Sequence, residues 1–340
     1  MQQRELTSIL IKPAGPDCNM ACTYCFYSGK KDLFGDSPKH RMSGEVLTEM
    51  IRQFLGQAGS EAIFTWQGGE PTLMGLEFFQ HAVDLQQRYG GGLTVGNAFQ
   101  TNGLLLDERW CRFLAAEAFS VGLSLDGPEG LHDLYRVTAT GGPTWGRVMR
   151  AYELLRSHGV RTECLAVVHS GNVHRPLEVY EFFRSLQVPY LTFLPLVEPA
   201  GAGRVSGRSV PADAWGEFLC AIFDRWMDRD IGDIRVQIFE EATRSAFGLE
   251  HTLCVFRKVC GGVPVLECNG DLFSCDHFVT PAHRLGNIRE TPLALLLDGP
   301  RQQAFGRAKQ ETLTRQCRRC AVLDMCNGGC PKDRFVPTAE

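Results

Sequence analysis

The chain has no long apolar run. No stretch reaches the ~18 residues needed to cross a membrane. The first eleven residues hold only a short apolar stretch before Lys12 and no small-residue cleavage site, so they do not read as a secretory signal. An excess of charge is also missing: 35 Lys and Arg against 39 Asp and Glu leave a net −4, which argues against a nucleic-acid partner. No repeat of solenoid period is present. The expectation is a cytoplasmic protein with no membrane segment. Its 340 residues, 44% hydrophobic and 22% charged, suit two domains or one large α/β barrel with an appendage.

Cysteine is the residue in surplus. Fourteen of them in a reducing compartment do not make a disulfide framework, so metal or redox chemistry is the better reading. Cys111, Cys164 and Cys220 stand singly in periodic apolar segments and are expected to be small buried hydrophobes. The others cluster. Cys18, Cys22 and Cys25 read C-x3-C-x2-C within one loop. A [4Fe–4S] cluster normally takes four thiolates, one per iron. Three would leave one iron open to bind a small molecule and pass it an electron. A structural zinc site is the plain alternative, and it needs a fourth ligand that this loop lacks.

Strand-like segments are expected at 8–12, 62–66, 94–100, 121–125, 162–168 and 190–194. Helical patterns lie at 44–55, 76–89, 108–117, 145–158, 177–186 and 212–228. Six strand–helix units in a row imply a parallel sheet with helices outside it. The end of each early strand is chemically marked. The cysteine loop follows the first, Gln67-Gly68-Gly69-Glu70-Pro71 the second, and Thr101-Asn102-Gly103 the third. Asp126-Gly127-Pro128 follows the fourth, and Asn172 lies past the fifth. In α/β barrels the active site is built at that face. The expected fold is therefore α/β, a partial (β/α)6 TIM-like barrel over residues 1–235.

From about Val236 the alternation stops and cysteines become dense: Cys254, Cys260, Cys268, Cys275, Cys317, Cys320, Cys326 and Cys330. Asn269-Gly270-Asp271 is a hairpin signal. Residues 236–340 read as a small domain held by metal more than by a core.

The cysteine loop resembles the signature of the radical S-adenosylmethionine superfamily, and Gly68-Gly69-Glu70-Pro71 at the next strand end makes the match specific. The resemblance implies a [4Fe–4S] cluster held by Cys18, Cys22 and Cys25. Its open iron chelates the methionine part of S-adenosylmethionine, whose reductive cleavage gives a 5′-deoxyadenosyl radical. It also implies cofactor contacts from Tyr24 to the nucleoside, from Gly69 and Glu70 to the amino group, from Asn102, Ser124 and Arg136 to ribose or carboxylate, and from Val197 to adenine.

The C-terminal cysteines resemble the SPASM extension of peptide-modifying members. Within that group the chain is similar to anaerobic sulfatase-maturating enzymes from Ile11 to Phe335. The segments that carry the similarity include Arg41-Met42-Ser43, Gln100-Thr101-Asn102-Gly103, His132-Asp133-Leu134-Tyr135-Arg136, Cys275-Asp276-His277-Phe278-Val279 and Cys326-Asn327-Gly328-Gly329-Cys330-Pro331. This implies a first auxiliary cluster on Cys254, Cys260, Cys275 and Cys330, and a second on Cys317, Cys320 and Cys326. The second cluster's fourth ligand is expected some way beyond Cys330. Its absence before Glu340 leaves open a truncated chain, a non-cysteine ligand, or an absent or labile cluster. Cys268 departs from the family pattern; it is expected to be a spare thiol, with ligand substitution as the alternative.

Asp276 is the expected general base, because a carboxylate beside a cluster ligand can take a proton as the cluster takes an electron. A plain turn aspartate is the alternative, and His277 is the substitute base. The implied reaction oxidises a Cys or Ser in a Cys/Ser-x-Pro-x-Arg segment of a sulfatase to Cα-formylglycine, with Gln67 near the peptide and a reduced flavodoxin- or ferredoxin-type electron donor. A SPASM maturase forming thioether or carbon–carbon cross-links is the second enzyme reading. An iron–sulfur carrier or a zinc-bound interaction module is the non-enzymatic one.

Overall fold

Strand and helix alternate from Ser8 to Ala246 in a computed structural model that describes residues 6–35 and 37–337. The elements run β1 (Ser8–Lys12), α1 (Gly44–Leu55), β2 (Glu61–Trp66), α2 (Leu76–Tyr89), β3 (Thr94–Thr101), α3 (Glu108–Ala116), β4 (Ser120–Ser124) and α4 (Glu129–His132). They continue with α5 (Trp145–Ser157), β5 (Arg161–Val168), α6 (Pro176–Ser185), β6 (Tyr190–Pro195), α7 (Ala212–Arg229), β7 (Arg235–Val236) and α8 (Gln237–Ala246). The six expected strands and six expected helices fall within one residue of these bounds at each end. β7 and α8 extend the alternation one unit further than the pattern shows, because a two-residue strand carries no readable period.

β1 to β7 are neighbours in chain order and every pair is parallel. Right-handed crossovers that always advance in one direction place all the helices on one side of the sheet. The sheet therefore winds like a barrel, and not like a doubly wound fold. Each helix turns one apolar stripe inward. On α1, Ser43 caps the N-terminus by accepting from the Val46 N–H, and Val46, Leu47, Met50, Ile51, Phe54 and Leu55 are buried. These residues pack with Ile9 and Ile11 of β1, whereas Leu10 of the same strand faces the opposite side, with Tyr27, Val265, Phe273 and Val279. That period-2 split gives the sheet an outer, helix-covered face and an inner one.

Cys111 and Cys164 are buried as expected, but Cys220 is exposed. The inward stripe of α7 is Ala214, Phe218 and Ile222, and a residue two positions from Phe218 points away from it.

The C-terminal region corrects the picture of a domain without a core. A hairpin, β8 (Val265–Glu267) and β9 (Asp271–Phe273), turns at Gly270, whose φ is +88°; β10 (Arg284–Asn287) completes the meander. β8 lies parallel to β1, so one ten-stranded sheet runs through both halves. Leu266, Leu272, Ile288 and three leucines of α9 (Leu293–Leu297) join the core of α1 and β1. After α10 (Pro300–Glu311), residues 313–337 hold only the short α11 (Arg315–Arg318), α12 (Leu323–Cys326) and a final single turn, and Asn327 is their one buried residue. No helix among the described residues is long and apolar enough to cross a membrane.

Candidate active site at the strand ends

The cysteine loop is anchored on both sides before any thiol is considered. The Gly69 N–H donates to the Gly15 carbonyl (2.8 Å) and the Glu70 N–H to the Asp17 carbonyl (2.7 Å), so the end of β2 grips the loop's start. A Cβ on Gly69 would lie 1.9 Å from the Asp17 oxygen, hence glycine. The Asp17 carboxylate accepts from the His40 N–H and from Arg41, and it pairs with the His40 ring. On the far side the Ala21 and Thr23 N–H groups donate to Val137 and Tyr135 carbonyls.

Cys22 and Cys25 are close enough to Cys18, and Cys25 to Cys22, to raise those thiols' proton affinity, and burial, followed by the carboxylate of Glu70, pushes the Cys18 thiol up to about 12. Among the described residues no three Cys, His, Asp or Glu side chains converge on a single ion. A loosely grouped thiol trio whose ionised form needs outside positive charge fits a polynuclear iron–sulfur group.

Glu70 is buried and answers to the protein. Oε1 accepts from the Thr72 N–H, the Thr72 hydroxyl and the Thr101 hydroxyl, and Oε2 from the Asn102 N–H. Asn102 in turn donates to Asn19 (2.8 Å) and approaches the Cys18 sulfur (3.7 Å). Gly69 lies against the backbone that opens the cysteine loop, and Gly68 against Lys12. Glu70 and Asn102 act first as struts of that loop.

The third face is organised by Asp126, which is fully buried at the end of β4. It accepts from the Tyr24 hydroxyl (2.5 Å) and the Val167 N–H, and the Arg136 Nε lies 2.9 Å from its Oδ2. The Arg136 guanidinium stands 5.5 Å from the centre of the Tyr24 ring. One edge of that guanidinium is thus occupied, which leaves the other for a ligand. Ser124 accepts from Gln100 (3.0 Å), and Val197 sits half-buried just past β6. The Asn172 amide closes its own turn onto His169 and Val167.

Asp276 lies over this mouth although it is far away in sequence. Its Oδ1 pairs with the ammonium of Lys12, the last residue of β1. The His277 and Phe26 rings are 5.0 Å apart, so the residues following Asp276 and Cys25 touch. Behind it, Cys254 lies close enough to Cys260, Cys275 and Cys330 to raise the proton affinity of each, and burial pushes Cys275 up to about 12. Lys309, buried with no carboxylate partner among the described residues, donates to the Cys254 (2.9 Å) and Val255 (2.8 Å) carbonyls. A buried cation without a carboxylate partner among the described residues, beside Cys254, Cys260 and Cys330, fits an anionic cluster. Cys317, Cys320 and Cys326 are partly to fully exposed along α11 and α12. Cys268 packs into the core, and its sulfur would be 3.1 Å from a Cβ on Gly15. It is a packing residue beneath the loop.

The sequence reading gave no role to Asp126, Lys12, Tyr27 or Glu267. The Asp126-Gly127-Pro128 strand end was a signal for the first. Lys12 and Glu267 are joined by the pairing of β1 with β8, and Tyr27 joins them by its ring and its hydroxyl.

The Radical SAM superfamily model matches residues 13–183, and the SPASM iron-sulfur cluster-binding domain model matches residues 254–321. A serine-type anaerobic sulfatase-maturating enzyme of Bacteroides thetaiotaomicron is 39% identical over 98% of this chain and 84% of its own length. A cysteine-type anaerobic sulfatase-maturating enzyme of Clostridium perfringens is 34% identical over 96% of this chain and 89% of its own. The solved structure of native anSMEcpe with bound AdoMet and Cp18Cys peptide superposes with a TM-score of 0.89 at 31% identity, covering 98% of this chain and 91% of that one. The loop of three thiols, the strand-end struts around it and these likenesses agree over nearly the whole length, and the chain belongs to the anaerobic sulfatase-maturating enzymes of the radical SAM superfamily.

Proposed function

We propose that the chain oxidises a Cys or Ser side chain in a Cys/Ser-x-Pro-x-Arg segment of a sulfatase to Cα-formylglycine. The observation that carries this reading is the placement of Asp276 at the strand that leads into the cysteine loop, through Lys12 and the Phe26–His277 contact. Iron–sulfur clusters and S-adenosylmethionine, when bound, would supply a hydrogen-abstracting deoxyadenosyl radical and a sink for one electron. Cys18, Cys22 and Cys25 would hold the first cluster. Cys254, Cys260, Cys275 and Cys330 would hold an auxiliary one, and Cys317, Cys320 and Cys326 part of another. S-adenosylmethionine would be met by Tyr24, Gly69, Glu70, Asn102, Ser124, Arg136 and Val197. The Gly69 N–H is already used, so that residue offers its carbonyl.

Asp276 removes the hydroxyl or thiol proton of the target residue as its β-carbon loses a hydrogen atom and an electron. Serine then yields the aldehyde directly. Cysteine yields a thioaldehyde, which water hydrolyses with loss of sulfide. Half-exposed Gln67, at the end of β2, faces the incoming peptide in this reading. The reductant is a flavodoxin- or ferredoxin-type protein, and the reducing cytoplasm is where such chemistry and fourteen free thiols persist.

The test is an anaerobic incubation of the reconstituted chain with reductant, S-adenosylmethionine and Cys- and Ser-containing peptides of that pattern. An aldehyde adduct at the target residue is the expected product. A peptide that keeps its sulfur and loses two hydrogens would show a cross-linking maturase instead. An unmodified peptide alongside fully cleaved cofactor would reject both.

A further inference from the structure

We infer that Lys12 is the positioning residue for proton removal: it holds the Asp276 carboxylate in place, and it rests in turn on the Tyr27 ring, whose hydroxyl is fixed by Glu267. The inference rests on Asp276 being the base.

Strand pairing sets up the group. Leu10 faces the inner side of the sheet, so Lys12, two residues on, points the same way at the strand's C-terminal end. The parallel register pairs Lys12 with Glu267 on β8, and paired residues project from the same face. Glu267 follows inward-facing Val265 by the same two-residue step.

Burial then makes the contacts consequential. Lys12 is 1% exposed and Glu267 fully buried. A buried ammonium is costly unless it is paired. Lys12 has the Asp276 Oδ1 as its ion-pair partner and the Tyr27 ring beneath it, 3.3 Å from Nζ to the ring centre. The Tyr27 hydroxyl donates to Glu267 Oε1. Glu267 Oε2 finds no hydrogen-bond partner among the described residues, so the grip of this carboxyl on the ring beneath Lys12 runs through Oε1 and the Tyr27 hydroxyl.

On the other side, Asp276 begins a three-residue turn, Asp276–Phe278. Among the described residues Lys12 is the only side chain paired with its carboxylate. Its Oδ1 is enclosed while the residue keeps 15% of its side-chain surface open toward the mouth. A base of this kind works only when held within hydrogen-bond reach of the proton. A lysine seated on a ring that Glu267 fixes supplies that constraint. A merely structural ion pair would also join the halves of the protein here, but it would not govern how cofactor cleavage partitions into product.

The experiment uses the full chain, reconstituted anaerobically, as wild type, Lys12→Met, Lys12→Arg, Asp276→Asn and the Lys12→Met/Asp276→Asn double variant. Four readouts are taken: iron content, deoxyadenosine formed, deuterium moved into it from a β-deuterated target peptide, and aldehyde formed. Lys12→Met is expected to keep iron, deoxyadenosine formation and deuterium transfer. Its ratio of aldehyde to deoxyadenosine should fall at least ~10-fold, the lower range of what a positioned base contributes. Lys12→Arg should recover part of the ratio, and the double variant should be no worse than Asp276→Asn. A wild-type ratio in Lys12→Met, with the ratio lost in Asp276→Asn, overturns the role of Lys12 alone. A wild-type ratio in Asp276→Asn removes the base assignment beneath it. Loss of iron in both Lys12 variants marks a structural pair and also overturns the inference.

Discussion

The two ends of the chain hold cysteines in opposite ways. The loop of Cys18, Cys22 and Cys25 is pinned by backbone hydrogen bonds to Gly69, Glu70, Tyr135 and Val137 and by the carboxylate of Asp17. Residues 313–337 are held mainly by their own turns, such as the Cys320 N–H to the Cys317 carbonyl. A few polar ties add to these, from Asn327 to the Phe256 carbonyl and from Arg334 to the Lys309 carbonyl. The first set of thiols is organised by contacts with the rest of the fold. The second has few such contacts, as in small modules that fold only around a metal.

The sharpest way to break this comparison is to remove each set in turn. Replacing Cys18, Cys22 and Cys25 by Ala should abolish deoxyadenosine formation and remove about four irons, yet leave the thermal melt of the barrel in place. Replacing Cys317, Cys320 and Cys326 should leave deoxyadenosine formation measurable and make residues 313–337 the first site of limited proteolysis. Equal unfolding in both variants would erase the distinction.

The next largest effect falls on the pinned side. Arg136→Met leaves the buried Asp126 without its cation, and breaking a buried pair costs about 3–5 kcal/mol. Chemical denaturation should show it, together with weaker S-adenosylmethionine binding.

A pH series probes the seam between the two regions. Burial raises Glu267 from 4.5 to about 7. The folded state therefore binds this proton more tightly than the unfolded one, so stability falls as pH rises from about 4.5 to about 7 and the cost is fully present above that. Glu267→Gln should flatten this part of the profile by at most about 3 kcal/mol, read from denaturation at pH 5 and pH 8. A parallel shift at both pH values would contradict it.

The smallest change is Gly69→Ala. Moving the Asp17 carbonyl aside should cost about 1–3 kcal/mol, in line with overpacking. Iron retention at the first cluster should drop with it, while the auxiliary iron stays.

The legible part of this protein is local. The alternation of strands and helices could be read because amphipathic periods of two and about 3.6 are written residue by residue, and the thiol loop because ligand spacing is short-range. The Asn269-Gly270-Asp271 turn was readable for the same reason. What stayed hidden depends on chain segments far apart. β7 was too short to show a period. Cys220 looked buried because its neighbours are apolar, and only the packing of α7 shows which stripe faces in.

The sequence alone was enough to name the strand ends and the family, since each is carried within a few consecutive residues. Only the tertiary structure decided that Glu70 and Asn102 brace the cysteine loop, that Asp126 joins Tyr24 to Arg136, and that Lys12 meets Glu267 and Asp276. Those relations come from strand register and burial, which for Lys12 bring charges together across more than two hundred residues of chain and which no local pattern encodes.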